Sequence, residues 1–326
     1  MRRSGCVQGD VMRLASWLGI LLIGLCSQVV SAQTKSAWNR YEFTHPQMGT
    51  IFRLIFYAQT DSVTAAVWAK DAFDAVDSLN ASMSDYLPES ELNRLSKQSG
   101  TGFSVPVSAN LWQILYLSEQ FSAKSQGAFD VTIGPLTRLW RRARNLKEVP
   151  DSTDIRKALA AVGNQYLICE PQQRIRLQQP GMRLDLGGIA QGFAADRCLK
   201  VLRKYGVKRA LADAGGDIAL GDPPPGQKGW DIETPGKPKL KLSNCGITTS
   251  GATYRYLEVD GRRYSHIVDP RTGWGLTHRV LVTVKAPDAT TADAWATAIS
   301  VLGQQGWQNL PSKPKRLRVW LTEDKL

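Results

Sequence analysis

The chain has 326 residues, 43% of them hydrophobic, and a formal net charge of +12. That apolar content supports a packed core and excludes a disordered chain. Of the five cysteines, Cys169, Cys198 and Cys245 lie beyond the N-terminal segment and show neither close pairing nor metal-ligand spacing. The basic excess comes with no nucleic-acid-binding motif, so nucleic acid is not an expected partner.

Residues 1–32 read as an export signal. Arg2, Arg3 and Arg13 precede the apolar run 14–30, and the small residues Ser31 and Ala32 set up a cut before Gln33. Ser16, Gly19, Gly24, Ser27 and Gln28 break that run, which makes it a poor membrane span. A retained anchor is the alternative. A lipoprotein reading of Cys26 is weakened by Leu25, which stands where such a signal needs a small residue. Without this segment the charge is +10 and three cysteines remain, Cys169, Cys198 and Cys245, each expected to be structural. Residues 33–326 are expected to form one α+β (mixed α/β) domain with a mixed sheet, flanking helices and a ligand cleft, because helices and strands intersperse without βαβ alternation.

In chain order, "PQMGT" (46–50) is a turn leading into a strand at 50–57. Ala69, Ala72, Phe73 and Val76 mark one face of a helix, followed by the loop "SDYLPESEL" (84–92). A second helix places Leu111, Ile114, Leu117 and Phe121 inward, with Asn110 as its expected N-cap. "GAFDVTIGPL" (127–136) is a loop, and the basic knot "RLWRRARN" (138–145) is either a solvated helical face or a contact for an anionic ligand or membrane surface. A strand is expected over 174–186. "RLDLGGIAQGFAADR" (183–197) then turns through Gly187 and Gly188 into a helix from about Ile189 to Tyr205, stopped by Gly206. The N-terminus of that helix offers free N–H groups to an anion. Asp185, between Leu184 and Leu186, needs a partner. Strands are expected at 208–220, 229–234, 255–260 and 279–285, with a Pro/Gly-rich loop at 221–229.

The last helix, 289–303, has Trp295, Ala298, Ile299 and Leu302 as its core stripe. Asp293 and Thr297, four residues apart, lie next to each other and nearly opposite that stripe, on a face of small residues rather than Lys or Glu. A carboxylate beside a hydroxyl suits a hard cation such as Mg²⁺. Asp293 complementing a helix N-terminus is the other reading, and periodicity leaves both open. His266, one of three histidines, stands where a β-rich run breaks into the Asp-Pro turn of "YSHIVDPRTG" (264–273). It reads as a base for proton transfer near neutrality, or as a histidine satisfied by its turn.

"MGT", "SDYLPESEL", "GAFDVTIGPL", "LDLGGIAQGFAAD", "DAGGDIAL", "TTSGATYRY", "YSHIVDPRTG" and "ADAWATA" occur in this order. Over about residues 44–303 the chain resembles the FAD:protein FMN transferase (ApbE) family. The resemblance implies a periplasmic enzyme that binds FAD and Mg²⁺, moves FMN onto a threonine of a partner protein and releases AMP. It implies FAD contacts from Met48, Tyr86, the Ala128-Phe129-Asp130 segment, Asp185, Gln191 and Ile267, and a Mg²⁺ site made by the Gly188 backbone with Asp293 and Thr297. His266 becomes the candidate catalytic base, with Asp269 beside it to orient the loop or cap its turn. Gln191 stands where many members have lysine, so a charge contact to pyrophosphate is missing there. Trp274 is also unusual and touches the expected rim. The implied acceptor carries a Ser-Gly-Ala-Thr-like threonine site, in a membrane electron-transfer subunit. The chain's own "SGAT" (250–253) resembles that signature, though it also reads as a turn entering a strand. FAD pyrophosphatase, with water as nucleophile, and a non-catalytic flavin carrier are the rival functions.

Overall fold

The computed structural model describes residues 37–251 and 255–323; the expected export segment and Thr253 lie outside the described residues. β1 (Asn39–Gln47) and β2 (Thr50–Ala58) form a hairpin closed by Met48 and Gly49, with Gln47 opposite Thr50. Both turn residues have positive φ, 51° and 73°, as a two-residue turn that follows the strand twist requires. That explains the "MGT" motif. Met48 is held in a left-handed conformation rare for a side-chain-bearing residue, and its N–H donates to Gln47 Oε1 at 3.0 Å.

The chain continues through α1 (Ser62–Met83), α2 (Glu91–Ser96), β3 (Val105–Pro106), α3 (Ala109–Lys124), α4 (Gly134–Leu146) and α5 (Ser152–Leu159). It then forms β4 (Leu167–Glu170), β5 (Arg174–Leu177), α6 (Ala190–Lys204), β6 (Ala210–Ala214) and β7 (Asp217–Leu220). β8 (Trp230–Ile232), β9 (Leu240–Leu242), β10 (Cys245–Gly251), β11 (Tyr256–Val259), β12 (Arg262–Ser265), β13 (Val280–Ala286), α7 (Ala289–Gln308) and β14 (Arg318–Glu323) complete it. The α3 cap differs from expectation. Ser108 caps the helix by accepting from Leu111 N–H, and Asn110 instead accepts from Arg197.

The α+β class is as expected, but the sheet is not mixed. Its seven strands, in the order β1-β2-β6-β7-β10-β13-β14, pair antiparallel throughout. β1–β2 and β6–β7 are hairpins, and among the described residues no connection within this sheet is the βαβ crossover a parallel pair needs. α1, α6 and α7 cover one face: Phe52, Leu54 and Phe56 of β2 meet Ala69 and Val76 of α1, Cys198 of α6 and Trp295 and Ile299 of α7 in one buried cluster. The β8–β9 hairpin covers the other face with Trp230 and Ile232 against Ile55, Leu211 and Ile247. A separate cluster of Leu136, Trp140, Ile155, Leu257 and Val268 ties α4 and α5 to the β11–β12 hairpin. Thus the loop after β12, which carries His266, is positioned by α4. Among the described residues no helix is long and apolar enough to cross a membrane.

Candidate active site

A cleft of ≈ 590 Å³ opens beside the sheet, between the α6–α7 pair and the α4/β12 side. That volume is in the range of small-molecule and cofactor sites. The expected flavin contacts Met48, Tyr86, Ala128, Phe129, Asp130, Asp185, Gln191 and Ile267 all line it. So do the expected cation donors Gly188, Asp293 and Thr297, and His266. Asp269 does not. Its carboxylate accepts from Arg271 N–H at 2.9 Å and from the Arg271 guanidinium at 2.9 and 2.8 Å, and its N–H donates to Trp274 C=O. It pins the 269–274 turn and takes no place among the groups facing the cleft. Trp274 packs near Trp140 and Tyr264 rather than lining the cleft.

The cation corner is built by the register of two antiparallel segments. At Gly188, in the turn into α6, an added Cβ would lie 2.8 Å from Thr297 Oγ1. One turn on, a Cβ at Gly192 would overlap the Ala289 carbonyl and come within 2.9 Å of Asp293 Cβ, so only glycine admits this approach. One turn further, Asp196 accepts from Ala289 N–H at 3.1 Å, Thr290 N–H at 2.9 Å and Thr290 Oγ1 at 2.6 Å, capping α7. Asp293 answers by accepting from Gly192 N–H at 3.1 Å near the N-terminus of α6. Asp293 does therefore complement a helix N-terminus, that of the neighbouring helix. Its Oδ1 has no donor among the described residues.

The face carrying Asp293 is buried rather than solvent-facing, with Asp293 only 5% exposed. Burial, with Asp217 adding to it, pushes its carboxyl well above the usual carboxylate range, and burial pushes Asp196 up to about 6. No group of three or more His, Cys, Asp or Glu converges as a metal cluster among the described residues. A cation here needs a mixed set of carboxylate, hydroxyl and backbone oxygen, which matches the small protein share Mg²⁺ takes.

The opposite wall is organised by Arg141. Its guanidinium pairs with Asp85 and, at 2.8 Å, with Asp185, and lies 4.2 Å from the Tyr86 ring centroid. This is the partner Asp185 requires; the same carboxylate accepts from Gly187 N–H at 2.8 Å, shaping the turn into α6. The basic knot is thus divided, with Arg141 and Arg144 lining the cleft and Arg138 and Arg142 exposed. Asp130 accepts from Thr132 N–H at 2.8 Å, Thr132 Oγ1 at 2.7 Å and Asn164 N–H at 2.9 Å, so it holds the shape of its loop. Gln191 donates to the Met48 carbonyl at 3.4 Å, linking α6 to the hairpin turn.

His266 Nδ1 lies 3.0 Å from the Arg255 carbonyl. A carbonyl only accepts, so Nδ1 carries the proton and Nε2 keeps its lone pair. Burial, helped by Arg144 and Arg255, lowers the pKa of His266 and keeps the ring neutral at pH 7. Arg141, Arg144, Arg255, Asp217 and Thr248 were not singled out by sequence reasoning. The available signals were the arginines in the basic knot and an aspartate between paired glycines and the apolar Ile-Ala-Leu of "GGDIAL".

A sequence profile of the ApbE family matches residues 48–321. The chain is 34% identical over 281 residues to the FAD:protein FMN transferase of Klebsiella pneumoniae (strain 342), covering 81% of this chain and 79% of that protein. It is 31% identical over 311 residues to the FAD:protein FMN transferase of Treponema pallidum (strain Nichols), covering 88% and 85%. The fold superposes on the apo form of the Pseudomonas stutzeri flavinyl transferase ApbE with a TM-score of 0.76 and 28% identity, covering 87% of this chain and 95% of that one. A matching profile over most of the chain, relatives of comparable length and a shared fold together make this chain a member of the ApbE family.

Proposed function

We propose that this protein is an FAD:protein FMN transferase that uses Mg²⁺ to attach FMN, through a phosphoester bond, to a threonine of a partner protein. The relatives above are named FAD:protein FMN transferases, which supports the transfer of FMN from FAD to a protein, and the chain spans most of their length. The single observation that carries the reading is one cleft that holds both a carboxylate–hydroxyl pair and a histidine with an unprotonated Nε2.

Asp293, Thr297 and the Gly188 backbone are the donors suited to the cation, which would neutralise phosphate charge during transfer. Met48, Phe129 and Ile267 offer an apolar wall for a flat ring system, and Tyr86 stands at the mouth, 69% exposed. His266 Nε2 takes the proton of the threonine hydroxyl as its oxygen attacks the FMN phosphorus. The P–O bond to AMP breaks, and AMP leaves with the bonding electrons. Proton transfer of this kind contributes ~10²–10⁴-fold. Arg141 holds Asp185, and with it the turn through Gly187 that lines the cleft.

Residues 1–32 are proposed to direct export to the periplasm and to be removed there, supported by their arginines, apolar run and small residues. The acceptor is proposed to be a membrane electron-transfer subunit with a Ser-Gly-Ala-Thr-like site. Mass spectrometry of a candidate acceptor mixed with enzyme, FAD and Mg²⁺ tests the function. An FMN mass on threonine is expected; free FMN and AMP with no adduct would make the protein an FAD pyrophosphatase, and intact FAD would make it a carrier. N-terminal sequencing of protein from its native host should begin at Gln33, and a full-length cytosolic product would overturn the export reading.

A further inference from the structure

The cleft contains a second buried carboxylate that the transfer reaction above does not use. Asp217 opens β7 and is 8% exposed, and no donor reaches it at hydrogen-bond geometry among the described residues. Its register partner on β10 is Thr248, 3% exposed, whose Oγ1 has no hydrogen-bond partner among the described residues. Both residues line the cleft together with Asp293 and Thr297, which approach from α7 on the layer above the sheet.

A buried carboxylate without a donor and a buried hydroxyl without a partner are each expensive to maintain in a folded protein. Here they share a cleft with another buried carboxylate, Asp293, so like charges repel. The remaining acidic neighbours do not relieve this: Asp213 is held by Arg53 at 3.4 Å, and Asp196 is used by the α7 cap. Arg141, one of the cations lining the cleft, is committed to Asp85 and Asp185. What fits such a corner is a hard divalent ion, which takes carboxylate and hydroxyl oxygens and cancels both charges.

We infer that Asp217, backed by Thr248, is a second carboxylate of the cation site, so that the ion is held between the sheet and α7 rather than by α7 and the α6 turn alone. This rests on the cation reading of Asp293 and Thr297 proposed above. It gives the site two carboxylates, one on each layer, and ties the β6–β7 hairpin to metal binding.

The test is Mn²⁺ titration of the FAD-free protein, followed by electron paramagnetic resonance, with thermal unfolding at pH 8 in the absence and presence of Mn²⁺. Asp217→Asn keeps the shape and removes the charge. It should weaken Mn²⁺ binding by about tenfold or more, as loss of a metal-site partner does. It should also unfold at the same or a higher temperature than wild type without metal, because a repulsion has gone. Unchanged Mn²⁺ affinity would overturn the inference. So would a lower metal-free unfolding temperature with metal affinity intact, which is a purely structural role. Weaker FAD binding with normal Mn²⁺ affinity would make Asp217 a nucleotide contact and overturn it equally. Wild type failing to bind Mn²⁺ would remove the cation reading itself, whereas wild-type binding with an unaffected Asp217→Asn removes only this extension. Should the asparagine variant not fold, Thr248→Val reads the same corner: weaker Mn²⁺ binding in a folded protein supports the inference, and unchanged binding overturns it.

Discussion

The two walls of the cleft are built by different means. On the α6–α7 wall, Asp293 is buried and Asp196 half-buried, and each accepts hydrogen bonds from the other segment's backbone. On the α4/β12 wall, Tyr86 is exposed, His266 is half-buried, and Arg141 and Arg144 reach in from a helix whose remaining arginines face water. The contrast separates two tasks. The charge-holding side must not move, so packing and backbone bonds fix it. The side proposed to receive a protein hydroxyl has to admit a partner, so it is more open at Tyr86 and His266, with the tautomer of His266 fixed.

Removing the charge from the fixed wall should have the largest effect. Asp293→Ala is expected to lower FMN transfer by about 10³-fold, the scale for losing an electrostatic clamp on a transferring phosphoryl group. The protein should stay folded by circular dichroism. Wild-type turnover in that variant would put the cation elsewhere.

The open wall comes next. His266→Ala should retain FAD and lose on the order of 10²-fold or more in transfer rate. The lowered pKa means the neutral, active form is already present in mildly acidic solution, so the rising limb of kcat/KM against pH should lie below about 6.5 in the wild type and vanish in the variant. The folded protein resists protonating His266 and the unfolded chain does not. The residue's stability contribution is therefore full above the unfolded pKa and lost as pH falls through the folded one. A rate and pH profile unchanged from wild type would remove the base assignment.

Gly192→Ala probes the packing of the fixed wall without touching a candidate donor. Its Cβ would meet the Ala289 backbone, which cannot yield as a side-chain tip would. A loss of about 1–3 kcal/mol is expected, measured by denaturant unfolding, together with weaker Mn²⁺ binding. The smallest effect is expected at Asp269→Asn. The turn loses charge-assisted bonds to Arg271, one partner of which is exposed, so stability should fall by about 1 kcal/mol or less and transfer by no more than a few-fold. A loss comparable to that of His266→Ala would return Asp269 to the reaction.

The α6–α7 wall was also the more legible one in sequence. The periodicity of 189–205 and 289–303 marked both helices, and the small residues opposite the Trp295 stripe signalled a close approach. What periodicity could not give was the identity of the approaching segment, because Asp196 and Asp293 are satisfied by residues about a hundred positions away. The sheet was harder. The expected strand 174–186 ends at Leu177; Met182, Leu184 and Leu186 alternate inward from an irregular segment whose bonds run to Ser96 and Val131 instead of a ladder. β10, "CGITTSG", is small and polar and did not read as a strand over its length, yet it lies within the sheet and turns Thr248, Thr249 and Ser250 toward the cleft. Its composition suits a cleft floor, which is why it lacks the apolar alternation of a core strand.

The pairing of Gly188 with Thr297, Gly192 with Asp293 and Asp196 with Ala289 runs in steps of one helical turn along both segments. An insertion or deletion of one residue inside either segment rotates everything beyond it by about 100° around the helix axis. All contacts past that point are then lost together, and none can be recovered singly. Length variation among relatives is therefore expected to be absent from 188–196 and 289–297. It should gather instead in segments such as the Pro-rich 221–229 loop, where neither helix measures the chain.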